Sequence, residues 1–359
     1  MSEFPLLRKL LNNFFNYKDM HPFFAEGMRK LVSSNLILKS KWYKKYVMKR
    51  AQEIQIETPG ISIETILNCN AKCQMCGHSN TKLTGLMTME LFKKVIDDCY
   101  ENNITKVELS VYGEPSIDPY LIDRIQYLRS YEMKYSFTTN ASKLTKDMSK
   151  KLIELGGLDK IHFSANALDP NIYHKVMGGK LTQQESYKNI LDFIGLKNSM
   201  NKSDIWVVIS TVKLHVNEKD IPAFTQFWLN QKGVNQIIRH DLDDKVGYAE
   251  ATEIGKLTNF SRRSSFRLPC RFLWGRLYVY NDGRVGVCCQ DWDKRQIIVG
   301  DMKIQSIKEI NNGSALNDLR RTHATGLRHT HPVCGKCNLN VHWFYDTTLR
   351  KEKEPATNE

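Results

Sequence analysis

Hydrophobic and polar positions alternate in period two through Ile61-Ser62-Ile63-Glu64-Thr65-Ile66-Leu67, and branched residues dominate the run, so it predicts a strand. The same signature returns at 107–111, 135–139, 161–165, 205–212 and 236–240. Between these runs, apolar residues at helical spacing predict helices over 118–130, 145–155, 183–197 and 219–231. Strand and helix in strict alternation predict parallel strands joined by crossover helices, hence an α/β fold of barrel or doubly wound type. Six strands between 61 and 240 are too few for a complete eight-stranded barrel. The alternation stops in a polar stretch at 245–268. Beyond it, strand-like 276–280 and 284–287 flank Asn281-Asp282-Gly283, a strong hairpin signal. A smaller module over about 260–340 is therefore predicted, with a disordered tail over 345–359.

Length and composition narrow the picture. A chain of 359 residues with 41% hydrophobic positions can bury one large domain and an appendage. No run approaches the roughly 20 apolar residues that span a bilayer. The start, Met-Ser-Glu-Phe-Pro, lacks the basic-then-apolar order of a secretory signal, so a cytoplasmic protein in a reduced compartment is expected. The net charge of +13 is concentrated at the front, where residues 1–55 hold eleven Lys and Arg against four Asp and Glu. Leu6, Leu7, Leu10, Leu11, Phe14 and Phe15 recur there at helical spacing. Residues 1–58 thus read as a basic helical extension. Its charged face is either simply solvated or makes peripheral contact with an anionic surface such as phospholipid, a lipid-phosphate-linked substrate or nucleic acid.

The nine cysteines carry the chemistry. In a long chain with no export signal, clustered cysteines point to metal rather than disulfides. Cys69-Asn-Ala-Lys-Cys73-Gln-Met-Cys76 places three thiols in eight residues. Three thiolates leave one iron of a four-iron cube open to a non-protein ligand, while a zinc knuckle completed by His78 is the alternative. This spacing, just after the first strand, resembles the radical S-adenosylmethionine superfamily. The resemblance covers roughly residues 60–240 and implies a partial (β/α)6 barrel spanning 59–245. It also implies a [4Fe-4S] cluster on Cys69, Cys73 and Cys76 that chelates S-adenosyl-L-methionine through its amino and carboxylate groups. Electron transfer into the cofactor then yields a 5′-deoxyadenosyl radical, with an external flavodoxin- or ferredoxin-type reductant as electron source.

Further residues follow in the order the resemblance requires. Tyr112-Gly113-Glu114-Pro115 stands where the family carries a Gly-Gly-Glu-like turn that binds the methionyl ammonium. Here Tyr112 replaces the first glycine, while Gly113 and the carboxylate of Glu114 are kept. Asn140, Ser164 and Ser210 lie at the ends of the third, fourth and fifth strands and are candidates for cofactor contacts. Met75 occupies the family's apolar position near adenine.

Cys270, Cys288, Cys334 and Cys337 can close a second site completely, as a zinc ribbon or a cluster. With Asp282-Gly283, Gln290-Asp291, Gly300-Asp301 and 307–310, they resemble the auxiliary-cluster module called twitch, a shortened SPASM domain. Since no cysteine follows Cys337, the resemblance implies one auxiliary [4Fe-4S] cluster with four protein ligands. Cys99 reads as a small buried hydrophobe. Cys289 either packs or serves as a thiol that returns a hydrogen atom to a substrate radical, which would make the enzyme an epimerase.

The layout is most similar to radical dehydrogenases that oxidise a secondary alcohol of an aminocyclitol. It implies an oxidoreductase acting on a polar, hydroxylated and, given the basic balance, phosphorylated or nucleotide-linked small molecule, with the auxiliary cluster accepting an electron. Such a reaction needs a proton acceptor, and Arg239, His240 and Asp241 at the end of the sixth strand are expected to face the site. The alternatives are a radical epimerase and a peptide-modifying enzyme. A non-catalytic iron–sulfur or zinc protein that binds nucleic acid would leave the three-cysteine loop, Glu114 and the barrel strands unexplained.

Overall fold

The computed structural model describes residues 41–53, 58–80, 83–242, 268–291 and 295–337. The predicted disordered tail, most of the basic extension and most of the polar stretch at 245–268 lie outside these residues. Of the extension, α1 (Lys41–Glu53) is described; it packs on the C-terminal part of the chain, where Gln52 Nε2 donates to the Ala324 carbonyl at 3.3 Å. No described helix is long and apolar enough to cross a membrane.

Six parallel strands form the main sheet in chain order: β1 (Gly60–Ile63), β2 (Lys106–Glu108), β3 (Lys134–Thr139), β4 (Leu158–Ser164), β5 (Trp206–Lys213) and β6 (Gln236–Asp241). The helices between them are α2 (Met89–Glu101), α3 (Leu121–Ser130), α4 (Lys146–Leu155), α5 (Pro170–Met177), α6 (Gln183–Ser199) and α7 (Ile221–Leu229). Four begin where the sequence supplies a cap. Thr88, Thr145 and Thr182 each accept the amide three residues on, and Asp169 accepts those of Asn171 and Ile172. This is the partial (β/α)6 barrel that the family resemblance implies, with α2 and α5 in addition to the helices predicted over 118–130, 145–155, 183–197 and 219–231.

Strand alternation divides the side chains between two faces. Phe163 of β4 meets Phe193 of α6 with ring centroids 5.6 Å apart, so Ile161 and Phe163 pack on the helices. Lys160, His162 and Ser164 therefore project to the opposite, inner face. Register carries that face across the sheet. It runs Ser62↔Glu108↔Ser136↔Lys160 in one row, with Ser164↔Ser210↔Ile238 and Val212↔His240 higher up.

The C-terminal part, α8 (Phe272–Gly275), β7 (Arg276–Val279), β8 (Arg284–Gly286), β9 (Ile298–Asp301), α9 (Ile307–Asn312) and α10 (Ser314–Ala324), is not a detached module. β7 pairs in parallel with β1 over four residues, and β8 and β9 extend the same sheet in antiparallel fashion, giving the order β6-β5-β4-β3-β2-β1-β7-β8-β9. The hairpin turns at Gly283, whose φ of +92° favours glycine. Further ties cross the junction. Asp98 of α2 accepts the Ile307 amide at 2.6 Å, and Arg276 pairs with Glu108 and donates to Ser62 at 2.7 Å.

Candidate active site

The three-cysteine loop leaves the end of β1 and is held on both sides by backbone. On one side, the amides of Lys72 and Gln74 donate to the carbonyls of Met177 and Val176 at the C-terminus of α5, both at 2.9 Å. The chain then turns through Gly178 and Gly179, both at positive φ. A Cβ on Gly178 would stand 2.4 Å from the Lys72 carbonyl oxygen, so glycine alone permits this approach. On the other side, residues 83–87 return antiparallel, with Leu67 N donating to Gly85 O and Met87 N to Thr65 O. Cys69, Cys73 and Cys76 are partly exposed at the surface of the core, and Met75 between them is buried. His78 is buried and engages the Leu67 backbone.

Glu114 stands over this loop. Its amide donates to Asn68 O at 2.9 Å, and a Cβ on the preceding Gly113 would lie 2.0 Å from Ile66 O. Gly113 is thus the residue that lets the turn press against the end of β1. The turn is braced beneath by a fully buried pair, Asp118–Arg124 at 2.9 Å, whose guanidinium also donates to Met87 O. The Glu114 carboxylate is 3% exposed and accepts from Ser116 N (2.9 Å), Thr139 Oγ1 (2.5 Å) and Asn140 N (2.7 Å). Burial pushes its carboxyl above the usual range, against the Asn140 and Ser116 amides and the Thr139 and Ser116 hydroxyls. No cation among the described residues pairs with it, and about one of its roughly four acceptor positions stays open. A buried carboxylate in this state is a place for an ammonium group.

The remaining candidates surround the same point. Asn140 donates to Asn70 Oδ1 at 3.0 Å, and Asn70 donates to Ser142 Oγ at 2.8 Å, which ties the end of β3 to the cysteine loop. Ser164 and Ser210 are register partners on the inner face. Ser164 Oγ accepts from Asn166, a residue at φ +54° whose side chain also accepts Val212 N and whose carbonyl accepts Thr211 Oγ1. Asn166, two residues past Ser164, closes the strand ends into one hydrogen-bonded rim.

Strand geometry divides Arg239, His240 and Asp241. Only His240 shares the inner face. Arg239 lies with Pro222, Trp228 and Ile237 in a cavity of about 370 Å³ on the α7 side, and alternation sends Asp241 the same way. The expectation that all three face the site fails because consecutive strand residues cannot share a face. His162 of β4 was not anticipated. Its ring centre lies 6.2 Å from that of His240, and its Nε2 is buried with no hydrogen-bond partner. Burial, then His240 and Lys160, hold its pKa down to about 3. The alternation Ile161-His162-Phe163-Ser164 was the signal available for it.

The second cysteine group gathers distant pieces of chain. Cys270 precedes α8, Cys288 follows β8, and Cys334 and Cys337 follow α10. Burial pushes the thiols of Cys270 and Cys334 up to about 11 and about 12, and each feels others of the set. The buried Arg328 guanidinium opposes that rise at both, while donating to Leu268 O at 3.1 Å. Two imidazoles seat the loops: Cys270 N donates to His323 Nδ1 at 3.1 Å, and Cys334 N to His331 Nδ1 at 3.2 Å. Arg328, His323 and His331 carry no motif and were not legible in the sequence. In the first group, burial likewise raises Cys69 to about 12 and Cys73 well above the ordinary thiol value, with neighbouring thiols adding to the rise. Thiols that raise one another's pKa become thiolates together only around a multiply charged cation, so both groups suit an iron–sulfur cluster.

Two tyrosines reach the second group. Tyr112, next to the Glu114 turn, reaches the Cys288 carbonyl with its hydroxyl at 3.4 Å. Tyr278, register partner of Ser62 on β7, bonds to the Cys289 thiol, which also receives Gln290 Nε2 at 3.7 Å. Beneath them lies a buried ion pair. Glu64, just past β1, accepts Arg295 Nη2 at 2.7 Å, and the Arg295 guanidinium stacks 4.2 Å from the Tyr280 ring centre.

These features define an iron–sulfur enzyme built on a partial barrel, and comparison with known proteins makes the class specific. The model of the radical SAM superfamily matches residues 45–227, and that of the SPASM iron–sulfur cluster-binding domain matches residues 270–338. The chain belongs to the radical SAM superfamily and carries a SPASM domain. It is 25% identical over 170 residues to the tungsten-containing aldehyde ferredoxin oxidoreductase cofactor-modifying protein of Pyrococcus furiosus, covering 47% of each chain. It is 32% identical over 114 residues to a probable GTP 3′,8-cyclase of Methanococcus maripaludis, covering 31% of this chain and 37% of that one. The match thus spans less than half the length of these curated relatives. Among solved structures, BtrN in complex with AdoMet and 2-DOIA aligns with a TM-score of 0.54 at 18% identity, over 81% of this chain and 98% of that one. Streptococcus suis SuiB bound to precursor peptide SuiA aligns with a TM-score of 0.61 at 14% identity, over 83% and 74%. At such identities these two likenesses speak for the fold alone.

Proposed function

We propose that the protein oxidises a hydroxyl-bearing carbon of a sugar- or aminocyclitol-type small molecule, using S-adenosylmethionine and two [4Fe-4S] clusters. When bound, the cofactor on its cluster supplies the hydrogen-atom acceptor and the auxiliary cluster supplies the electron acceptor. Cys69, Cys73 and Cys76 would hold the first cluster, and Cys270, Cys288, Cys334 and Cys337 the second. Glu114 takes the methionyl ammonium into its remaining acceptor position, with Gly113 giving the turn its close approach. Asn140, Ser164 and Ser210 present polar groups to the carboxylate and ribose, and Met75 packs beside the adenine. The observation that carries this reading is Glu114, a buried carboxylate with no cationic partner among the described residues, whose amide bonds to the Asn68 carbonyl next to Cys69.

One observation favours a second reaction at the same centre. The Cys289 thiol, next to Cys288 and hydrogen-bonded with Tyr278, supports a reading in which a thiol returns a hydrogen atom, which would give epimerisation. The experiment is anaerobic. Reconstituted protein receives S-adenosylmethionine, a strong reductant and either the small-molecule or the macromolecular fraction of host extract, and 5′-deoxyadenosine is quantified. Stimulation by the small-molecule fraction is expected. Stimulation only by macromolecules would replace this reading with peptide modification, and absence of cleavage with both clusters intact would sink the enzyme assignment. Cys289→Ala should still form 5′-deoxyadenosine; a product oxidised where wild type inverts a centre would establish epimerisation.

A further inference from the structure

The inner face of β4 carries Lys160, His162 and Ser164 in one line, since alternate strand residues share a face and stand about 7 Å apart. Ser164 belongs to the rim beside the Glu114 site. Below it, the His162 Nε2 is buried with no partner, and His240 reaches in from β6 to within 6.2 Å ring to ring. Lower still, Lys160 is half-buried and makes no ion pair with any described carboxylate. The acid nearest along its row, Glu108, is already taken by Arg276 and Ser62. The inner face therefore descends from a hydroxyl-lined rim, through a neutral imidazole, to a cation that no described carboxylate compensates, over about 13 Å of strand. Burial and the neighbouring Lys160 and His240 keep His162 neutral, so its free nitrogen suits a hydroxyl, which can both donate and accept. A half-buried cation with no counter-charge among the described residues suits an oxyanion.

We propose that this line is the substrate-binding site and that it selects a hydroxylated small molecule bearing an oxyanion, phosphate or carboxylate. His162 and His240 take a hydroxyl near the cofactor, and Lys160 takes the anionic group. The inference rests on the proposed function and names the substrate class for it. It assigns binding roles only, with no covalent change at these residues.

The test is equilibrium binding to the cluster-loaded protein with S-adenosylmethionine present, using glucosamine 6-phosphate, glucuronate and glucose as probes. At least one anionic probe should bind about tenfold or more tighter than glucose, and which one does so tells phosphate from carboxylate. Lys160→Met, which keeps the aliphatic stem, should bring that ratio close to one, and His162→Gln should weaken the anionic and neutral probes alike. Iron content and thermal midpoint of both variants should match wild type, because neither side chain holds another in place. Equal binding of anionic and neutral probes, no binding of any probe, or a preference that survives Lys160→Met would each overturn the inference. If the small-molecule fraction still drives 5′-deoxyadenosine formation in Lys160→Met as in wild type, the proposed function stands and this site falls. If only macromolecules drive it, the proposed function falls first.

Discussion

Cys69, Cys73 and Cys76 come from a single loop pinned by backbone hydrogen bonds to α5 and to residues 83–87, whereas Cys270, Cys288, Cys334 and Cys337 come from three separate pieces of chain seated by side chains. The first group is partly exposed and lies beside a buried carboxylate that pairs with no cation among the described residues. In the second, Cys334 and Cys337 are buried and a cationic Arg328 stands close by. The first arrangement sets its thiols beside an acceptor for a cation, and the second sets its thiols beside a cation. Backbone pinning makes the first site depend on glycines at close approaches. Side-chain seating makes the second depend on buried polar partners that no short motif encodes.

The comparison predicts its own breaking points. Replacing Cys69, Cys73 and Cys76 together with Ala should abolish cofactor cleavage while leaving about four irons per chain, one four-iron cluster; loss of all iron would show that the second group holds none. Gly178→Val, which forces a side chain onto the Lys72 carbonyl, should unseat the same loop. It should reduce 5′-deoxyadenosine formation on the order of 100-fold, the scale of a misplacement of about 1 Å, with the auxiliary cluster spectrum unchanged. Arg295→Met breaks a buried pair between β1 and the C-terminal part and strands Glu64. It should cost about 3–5 kcal/mol in unfolding free energy and perturb both sites together. An effect confined to one site would mean the junction does not couple them.

Two smaller effects sharpen the contrast. Arg328→Gln removes a buried cation beside the second group alone. It should lower that cluster's reduction potential by tens of millivolts, where 59 mV corresponds to a factor of ten, and leave the first unmoved. His162 titrates in the folded protein near 3, below its ordinary value of 6.5, so the folded state binds fewer protons between those limits. The stability it contributes is therefore present above pH 6.5 and lost as pH falls toward 3, by at most about 1.4 kcal/mol per pH unit. His323, also held near 3, adds a similar slope, so chemical-denaturation midpoints of His162→Gln should fall less steeply with acid than those of wild type without becoming flat.

Much of this was legible in one dimension. Period-two runs at 135–139 and 161–165 marked strands because alternation is a local property of extended backbone. The three-cysteine loop, Gly113 and Glu114 were legible because their chemistry is packed into adjacent residues. Arg239 and Asp241 were misplaced by reading a position in sequence as a direction in space; the strand sends them to the α7 side and only His240 inward. The C-terminal part read as a separate module because the sequence break at 245–268 hides the pairing of β7 with β1.

By itself, then, the sequence determined the class of protein and most of the alternation of strands and helices, the first through short motifs that resemble a known family and the second through periodicity. Only the tertiary structure decided that the two parts share one sheet and that Glu64 meets Arg295. It also decided that Arg328, His323 and His331 surround the second cysteine group and that Lys160, His162 and His240 share the inner face. Each of these is a meeting of residues far apart in the chain, set by strand register and crossover geometry, and no local pattern of side chains carries that information.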